Sequence, residues 1–304
     1  MNTGASAVGS YVRADEDGLN AGGRDVALVG LVGRGIALSR TPFMHEQEGA
    51  RLGLRYVYRR LDTDTMRAPA PDFAEILSAA EITGFAGLNV TYPYKREALA
   101  HLDSLSASAD NVGAVNTIVL RDGRRSGHNT DCWGFAESFR RNMADAPREA
   151  VMLLGAGGAG GAVAQALIDC GVKRLFVHDI MEGSAEALVA RLNDRVGAGT
   201  AEVAPDPARV IDAVDGLVNA SPVGMAKLPG APLPLSLLSD RLWVADIIYF
   251  PIETELLRAA RERGCRTLSG SGMAVFQAAR AFELFTGIKP DPERMKASFD
   301  AFVA

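Results

Sequence analysis

Long apolar runs are missing from this chain of 304 residues. None approaches the roughly 20 residues a membrane span needs, so an integral membrane protein is not expected. A basic surplus is missing too: the formal net charge is −5, and the 32 Lys and Arg are scattered. That argues against a broad nucleic-acid surface, and the paired Arg124 and Arg125, beside a turn, read as solvated. Cysteine is scarce. Cys132, Cys170 and Cys265 have neither CxxC spacing nor an even framework, which fits a reducing compartment and a cytoplasmic location. Histidine is as dispersed, with His45, His101, His128 and His178 lacking ligand spacing, so no metal is expected. Residues 1–24, rich in Gly, Ala, Ser and Asp, have no basic start and no apolar stretch. They read as a disordered tail and not as a secretory leader.

What is present is an alternation of apolar runs with helical patterns, over a length that suggests two domains. Val26–Val32 and Arg55–Leu61 read as strands. Between them Thr41 and Pro42 read as a hydroxyl N-cap followed by proline at the first helical position. Gly84–Val90 and Ala114–Leu120 are further strands, Pro93 is expected to open a short helix carrying Lys95, and Asp122–Gly123 turns the chain back. A second unit runs Val151–Leu154, a helix to about Cys170, Arg174–His178, a helix Ser184–Asn193, Gly216–Asn219, Trp243–Ile248 and a helix Glu253–Arg263. Helical patterns at Ala274–Phe285 and Pro292–Phe302 end the chain. Strands alternating with helices of this length imply an α/β fold with a doubly wound parallel sheet.

The run Gly155-Ala156-Gly157-Gly158-Ala159-Gly160 follows a strand, opens a helix and precedes a second strand that ends in Asp179. A lone GxGxxG is weak, but here the context it requires is present. The first glycine permits a tight turn, the second lets backbone amides approach a pyrophosphate, and the third packs helix on strand. Asp179, 24 positions after Gly155, stands where a carboxylate accepts both ribose hydroxyls and repels a 2′-phosphate. The next loop, Ile180-Met181-Glu182-Gly183-Ser184, holds no base. NAD is therefore expected over NADP.

The first half places polar groups where strands end: Ser39-Arg40-Thr41-Pro42, Asn89 to Lys95, Gly113 to Thr117, and Gly127 to Asp131. Singly each has an ordinary explanation, a helix cap or a solvated charge. Hydride loss from a secondary alcohol needs a partner for the proton, and without a metal cluster Lys95 and Asp131 are the remaining pair. A neighbouring carboxylate raises the lysine pKa and desolvation lowers it, so the protonation states stay open.

Together these segments resemble the shikimate/quinate dehydrogenase family. The motifs are Ser-x-Ser/Thr-Pro (Ser39, Thr41, Pro42), Asn-x-Thr-x-Pro-x-Lys (Asn89, Thr91, Pro93, Lys95), Gly-Ala-x-Asn-Thr (Gly113 to Thr117) and Gly-x-Asn-Thr-Asp (Gly127 to Asp131). Asn-x-Ser/Thr-Pro-x-Gly-Met (Asn219 to Met225), Asp-x-x-Tyr-x-Pro (Asp246 to Pro251) and Met-x-x-x-Gln (Met273, Gln277) follow. The likeness is greatest to the branch that takes both quinate and shikimate with NAD, whose first motif carries Thr at the position of Thr41.

The resemblance implies a substrate domain over residues 25–129, completed by 273–304, and a Rossmann-type NAD-binding domain over 130–272. It implies Lys95 as general acid/base with Asp131 as partner, Ser39 and Thr41 on the substrate carboxylate, and Thr91, Asn116 and Gln277 on ring hydroxyls with Tyr249 nearby. Asn89 would as readily brace its loop, and Arg40 is a further carboxylate candidate unless it points to solvent. Ser221, Gly224, Ile248 and Gly270 would line the nicotinamide half of NAD, while Gly155, Gly157, Gly158, Ala159, Gly160 and Asp179 take the rest. One departure is Ser184, where that branch usually has Arg. A homodimer is allowed for. The rival readings are a shikimate-only enzyme using NADP, a dehydrogenase for an amino-substituted shikimate, and a silent ligand sensor on the same fold.

Overall fold

The computed structural model describes residues 26–302. The tail expected over residues 1–24 lies outside the described residues. The chain divides into two compact units, one holding the described residues up to Thr130 and from Ala278 on, the other Asp131–Gln277.

The first unit runs β1 (Val26–Gly33), α1 (Thr41–Arg51), β2 (Arg55–Asp62), α2 (Phe73–Ile82), β3 (Gly87–Val90), a 3-10 turn (Glu97–His101), β4 (Ser104–Leu105), α3 (Ala107–Val112), β5 (Thr117–Arg121) and β6 (Arg124–His128). Its sheet has the order β2-β1-β3-β5-β6-β4. β1 pairs in parallel with β2 and β3, whereas β5 runs antiparallel to β3 and β6. The β5–β6 hairpin turns on Asp122 and Gly123, both at positive φ (53° and 68°), as a two-residue turn between twisted strands requires. Alternation along β1 sorts the core. Ala27, Val29 and Leu31 face Tyr56, Tyr58 and Phe282, while Val32 joins Leu88 and Val90 under α2, whose Phe73 and Leu77 are fully buried.

The second unit begins in α4 (Thr130–Asn142) and continues β7 (Ala150–Leu154), α5 (Gly158–Asp169), β8 (Arg174–His178), α6 (Ser184–Val196), β9 (Ala201–Val203), β10 (Gly216–Asn219), β11 (Trp243–Asp246), α7 (Glu255–Glu262) and β12 (Arg266–Leu268). Every pairing is parallel, in the order β12-β11-β10-β7-β8-β9. Counted from β7 this is the doubly wound dinucleotide-binding order, with its reversal between β7 and β10. β7 and β10 are buried along their whole length, which is why they read as unbroken apolar runs. α8 (Gly270–Thr286) returns the chain to the first unit, and α9 (Pro292–Ala301) ends it. Among the described residues no helix is long and apolar enough to cross a membrane.

Three local expectations are corrected. Thr41 does not cap α1 but is its first residue; the N-cap is Arg40, in αR conformation, with no side-chain cap bond. Pro93 opens no helix: residues 92–96 form turns, and the short 3-10 helix starts only at Glu97. The strand expected from Ala114 starts at Thr117, because Gly113 is the left-handed C-cap of α3 and the chain must first leave that helix.

Candidate active site

In the first unit the polar segments gather at one end of the sheet. Thr91 follows β3, and its amide donates to Val32 O at 3.0 Å. A Cβ built on Gly33 would lie 2.3 Å from the Thr91 methyl, so glycine there lets the β3 exit close onto β1. Lys95, half-buried, is fixed through its backbone, since its carbonyl accepts from the Val115 amide at 2.8 Å. That holds Lys95 beside the chain entering Asn116.

Asn116 is buried and oriented by its neighbours. Its Oδ1 accepts from the Thr130 amide at 2.7 Å and from the Thr117 hydroxyl at 3.2 Å, and its Nδ2 donates to Thr130 Oγ1 at 3.0 Å. Thr130 opens α4, and Asp131 is the next residue of the chain. Asn89 is a brace: Tyr58 donates to its Oδ1 at 2.6 Å, and its Nδ2 donates to Thr117 Oγ1 at 3.0 Å. Ser39 and Thr41 are half-buried at the start of α1, the Thr41 amide lying 3.4 Å from Ser39 Oγ, and the Thr41 hydroxyl has no hydrogen-bond partner among the described residues.

In the second unit the glycine run turns at the exit of β7. Gly155 has φ +100°, and a Cβ there would lie 2.7 Å from Ser221 N, across the reversal point after β10. A Cβ on Gly160 would lie 2.0 Å from Gly155 O, so the third glycine is required by the packing of α5 on its own loop. Nothing lies within 4 Å of a Cβ on Gly157, which is exposed. The protein's own packing makes no demand for glycine there, as fits a cradle for pyrophosphate at the N-terminus of α5. Gly158 and Ala159 form the first turn of α5. Asp179, after β8, accepts from the amides of Ala156 at 2.6 Å and Met181 at 2.8 Å. Each carboxylate oxygen keeps a lone pair for a further donor.

Ser221, Gly224, Ile248 and Gly270 are brought together. A Cβ on Gly224 (φ +112°) would lie 3.1 Å from Ile248 Cδ1, and one on Gly270 would lie 2.6 Å from Ile248 O. Two residues without an assigned role in the sequence reading hold this cluster. Asn219 Oδ1 accepts from the Ser221 amide at 3.0 Å and the Ser221 hydroxyl at 2.7 Å, and its Nδ2 donates to Asp246 Oδ1 at 3.1 Å. Asp246 also accepts from the Ile248 amide at 3.0 Å and the Thr254 hydroxyl at 2.7 Å. Burial raises its pKa to about 6, against the pull of those donors. The signal was available: a polar residue ending each of two apolar strands, β10 and β11, that lie side by side. Tyr249 is partly exposed, Gln277 Nε2 donates to Ala274 O at 3.0 Å, and burial pushes the Cys132 thiol up to about 12, leaving it protonated and inert.

The model of the shikimate dehydrogenase substrate binding domain matches residues 31–118, and that of the shikimate 5′-dehydrogenase C-terminal domain matches 270–298. A shikimate dehydrogenase (NADP(+)) of Streptomyces avermitilis is 51% identical over 277 residues, 90% of this chain and 95% of the relative. This chain belongs to the shikimate dehydrogenase family. Within it, a quinate/shikimate dehydrogenase (NAD(+)) of Corynebacterium efficiens is 49% identical over 278 residues, 90% of this chain and 98% of that one. Quinate dehydrogenase from Corynebacterium glutamicum, solved in complex with NAD, superposes with a TM-score of 0.88 at 46% identity, covering 92% of this chain and 100% of that one. The α/β family fold, with a substrate-binding unit and a Rossmann-like unit, is the one expected from the sequence.

Proposed function

We propose that this member of the family is a cytoplasmic, NAD-dependent oxidoreductase that interconverts quinate with 3-dehydroquinate and shikimate with 3-dehydroshikimate. The observation that carries the cofactor is Asp179, tied to the glycine loop and followed by a loop with no base. Family membership alone does not choose, because the relatives carry NAD(+) or NADP(+) in their names. A carboxylate at the adenosine ribose favours NAD by accepting its hydroxyls and repelling a 2′-phosphate. Ser184 in place of arginine weakens the grip on that end without helping NADP.

NAD, when bound, supplies the acceptor for the hydride. Gly155, Gly157, Gly158, Ala159, Gly160 and Asp179 hold its phosphates and adenosine ribose, and Ser221, Gly224, Ile248 and Gly270 line the nicotinamide. Ser39 and Thr41 bind the substrate carboxylate, with Thr91, Asn116, Gln277 and Tyr249 on the ring. Lys95 Nζ takes the proton of the hydroxyl being oxidised and returns it to the ketone in reverse, with Asp131 as its partner. Support for the substrate side is that Lys95, Thr91 and Asn116 converge at one sheet end, with Asn116 already oriented. A shikimate-only enzyme with NADP is the second reading, favoured by the Streptomyces relative's name. Steady-state rates with quinate and shikimate, each with NAD and NADP, test both; activity confined to shikimate and NADP would replace the first reading by the second.

A further inference from the structure

We propose that Arg40 is a positioning residue: clasped by the C-terminal helix α9, it sets where Ser39 and Thr41 stand. This rests on the reading that those hydroxyls hold the substrate carboxylate. The link from β1 to α1, residues 34–40, has no regular structure, so its path depends on what grips it. Its first part is gripped by β2. Asp62 accepts from the amides of Gly35 at 3.0 Å and Ile36 at 2.9 Å, and Arg60 donates to Ala37 O.

Its last part is gripped from elsewhere. Arg40 Nη1 donates to Phe299 O at 2.9 Å, and the guanidinium lies 4.7 Å from the centroid of the Phe299 ring and 5.7 Å from that of Phe302. Phe299 O lies in the last turn of α9. Arg40 thus donates to the last turn of α9, puts a cation at a helix C-terminus and stacks on an aromatic face. Phe43 adds a ring contact with Phe302 at 5.7 Å. Farther along α1, the buried Glu48 accepts from Arg294 Nε at 3.0 Å and from the Asp291 amide at 2.9 Å. The second grip fixes α9 against α1, so α9 is a firm anchor, and Arg40 ties the Ser39–Thr41 segment to it. With one Cα step of about 3.8 Å from Arg40 to each hydroxyl-bearing residue, a shift of the arginine moves both. Direct binding of the carboxylate by Arg40 is the alternative, and the two differ in what Phe299 does.

Steady-state kinetics and melting curves on Arg40→Met, Arg40→Lys, Phe299→Leu and the double variant Arg40→Met with Phe299→Leu decide it. Arg40→Met and Phe299→Leu should each raise KM for quinate and shikimate, on the order of tenfold for Arg40→Met, with kcat and the KM for NAD within about twofold. The double variant should be no worse than Arg40→Met. Arg40→Lys, which keeps the charge without the planar fork, should not restore KM. Full rescue by Arg40→Lys, additive effects, or an effect of Arg40→Met with none of Phe299→Leu would overturn the clasp. Thr41→Ala is measured beside them. A raised KM there with no change in Arg40→Met sinks the clasp alone, whereas an unchanged KM in Thr41→Ala sinks the carboxylate assignment and the clasp with it.

Discussion

The amide of Ala156 donates to Oδ2 of Asp179 at 2.6 Å, so the carboxylate at the end of β8 also holds the second residue of the glycine loop. On the proposed reading, cofactor choice and loop geometry thereby share one side chain. Catalytic efficiency with NAD should exceed that with NADP by more than tenfold, or ~1.4 kcal/mol. Asp179→Ala should lower efficiency with NAD and narrow that ratio, since hydrogen bonds and repulsion go together. Equal efficiency with both cofactors in the unaltered enzyme would refute the assignment.

Gly157 and Gly160 should respond oppositely to alanine. Gly157→Ala meets open space at an ordinary φ of −71°, so its melting temperature should match the parent while NAD affinity drops on the order of tenfold or more. Gly160→Ala drives a methyl to 2.0 Å from Gly155 O and should cost about 1–3 kcal/mol of stability before any cofactor is added. Thermal melts with and without NAD separate the two effects.

Lys95→Ala should reduce kcat by on the order of 10²–10⁴ with quinate and shikimate, while folding and NAD binding persist. Lys95→Met keeps the apolar stem and should be as inactive. Asp131→Asn should also lower kcat, and the double variant should fall short of additivity, as expected of groups acting as a unit. Near-parental kcat in Lys95→Ala would remove the lysine from the mechanism.

His45 should make the protein acid-sensitive. It is fully buried beside Tyr56, whose hydroxyl lies 2.8 Å from Nδ1, and burial lowers its pKa from 6.5 to about 3. Its folded pKa is depressed, so its contribution is complete above pH 6.5 and is lost as pH falls from there towards 3. Between pH 7 and 5 the loss from this group is about 2 kcal/mol. Urea titrations at the two pH values measure it. His45→Gln, which binds no proton, should shrink that difference; an unchanged difference would assign the acid sensitivity to other groups.

Much of the fold was legible because periodicity and turn chemistry are local. Arg174–His178 and Gly216–Asn219 are strands with the expected bounds, since buried parallel strands are unbroken apolar runs closed by polar residues. The Asp122–Gly123 hairpin followed from two residues that tolerate positive φ. Boundaries failed where a neighbouring element came close, as at Ala114, expected to start β5 but still leaving the Gly113 C-cap of α3, so that the strand begins at Thr117.

At the candidate site the order of residues settles which chemical groups exist and where they fall along the chain: the glycine loop, the acid beyond it, and the hydroxyl, amide and lysine segments. Tertiary structure decided what each group touches. Thr41 is no cap, since Arg40 precedes the helix in αR conformation, and the Arg40 guanidinium bonds to a helix more than 250 residues away in the chain. Asn219 and Asp246 become a brace only when parallel pairing sets β10 beside β11. A hydrogen bond acts over about 3 Å and a stacked ring over about 5 Å, so such partners are chosen by distance in space, which the packing of sheets and helices sets and a linear pattern does not contain.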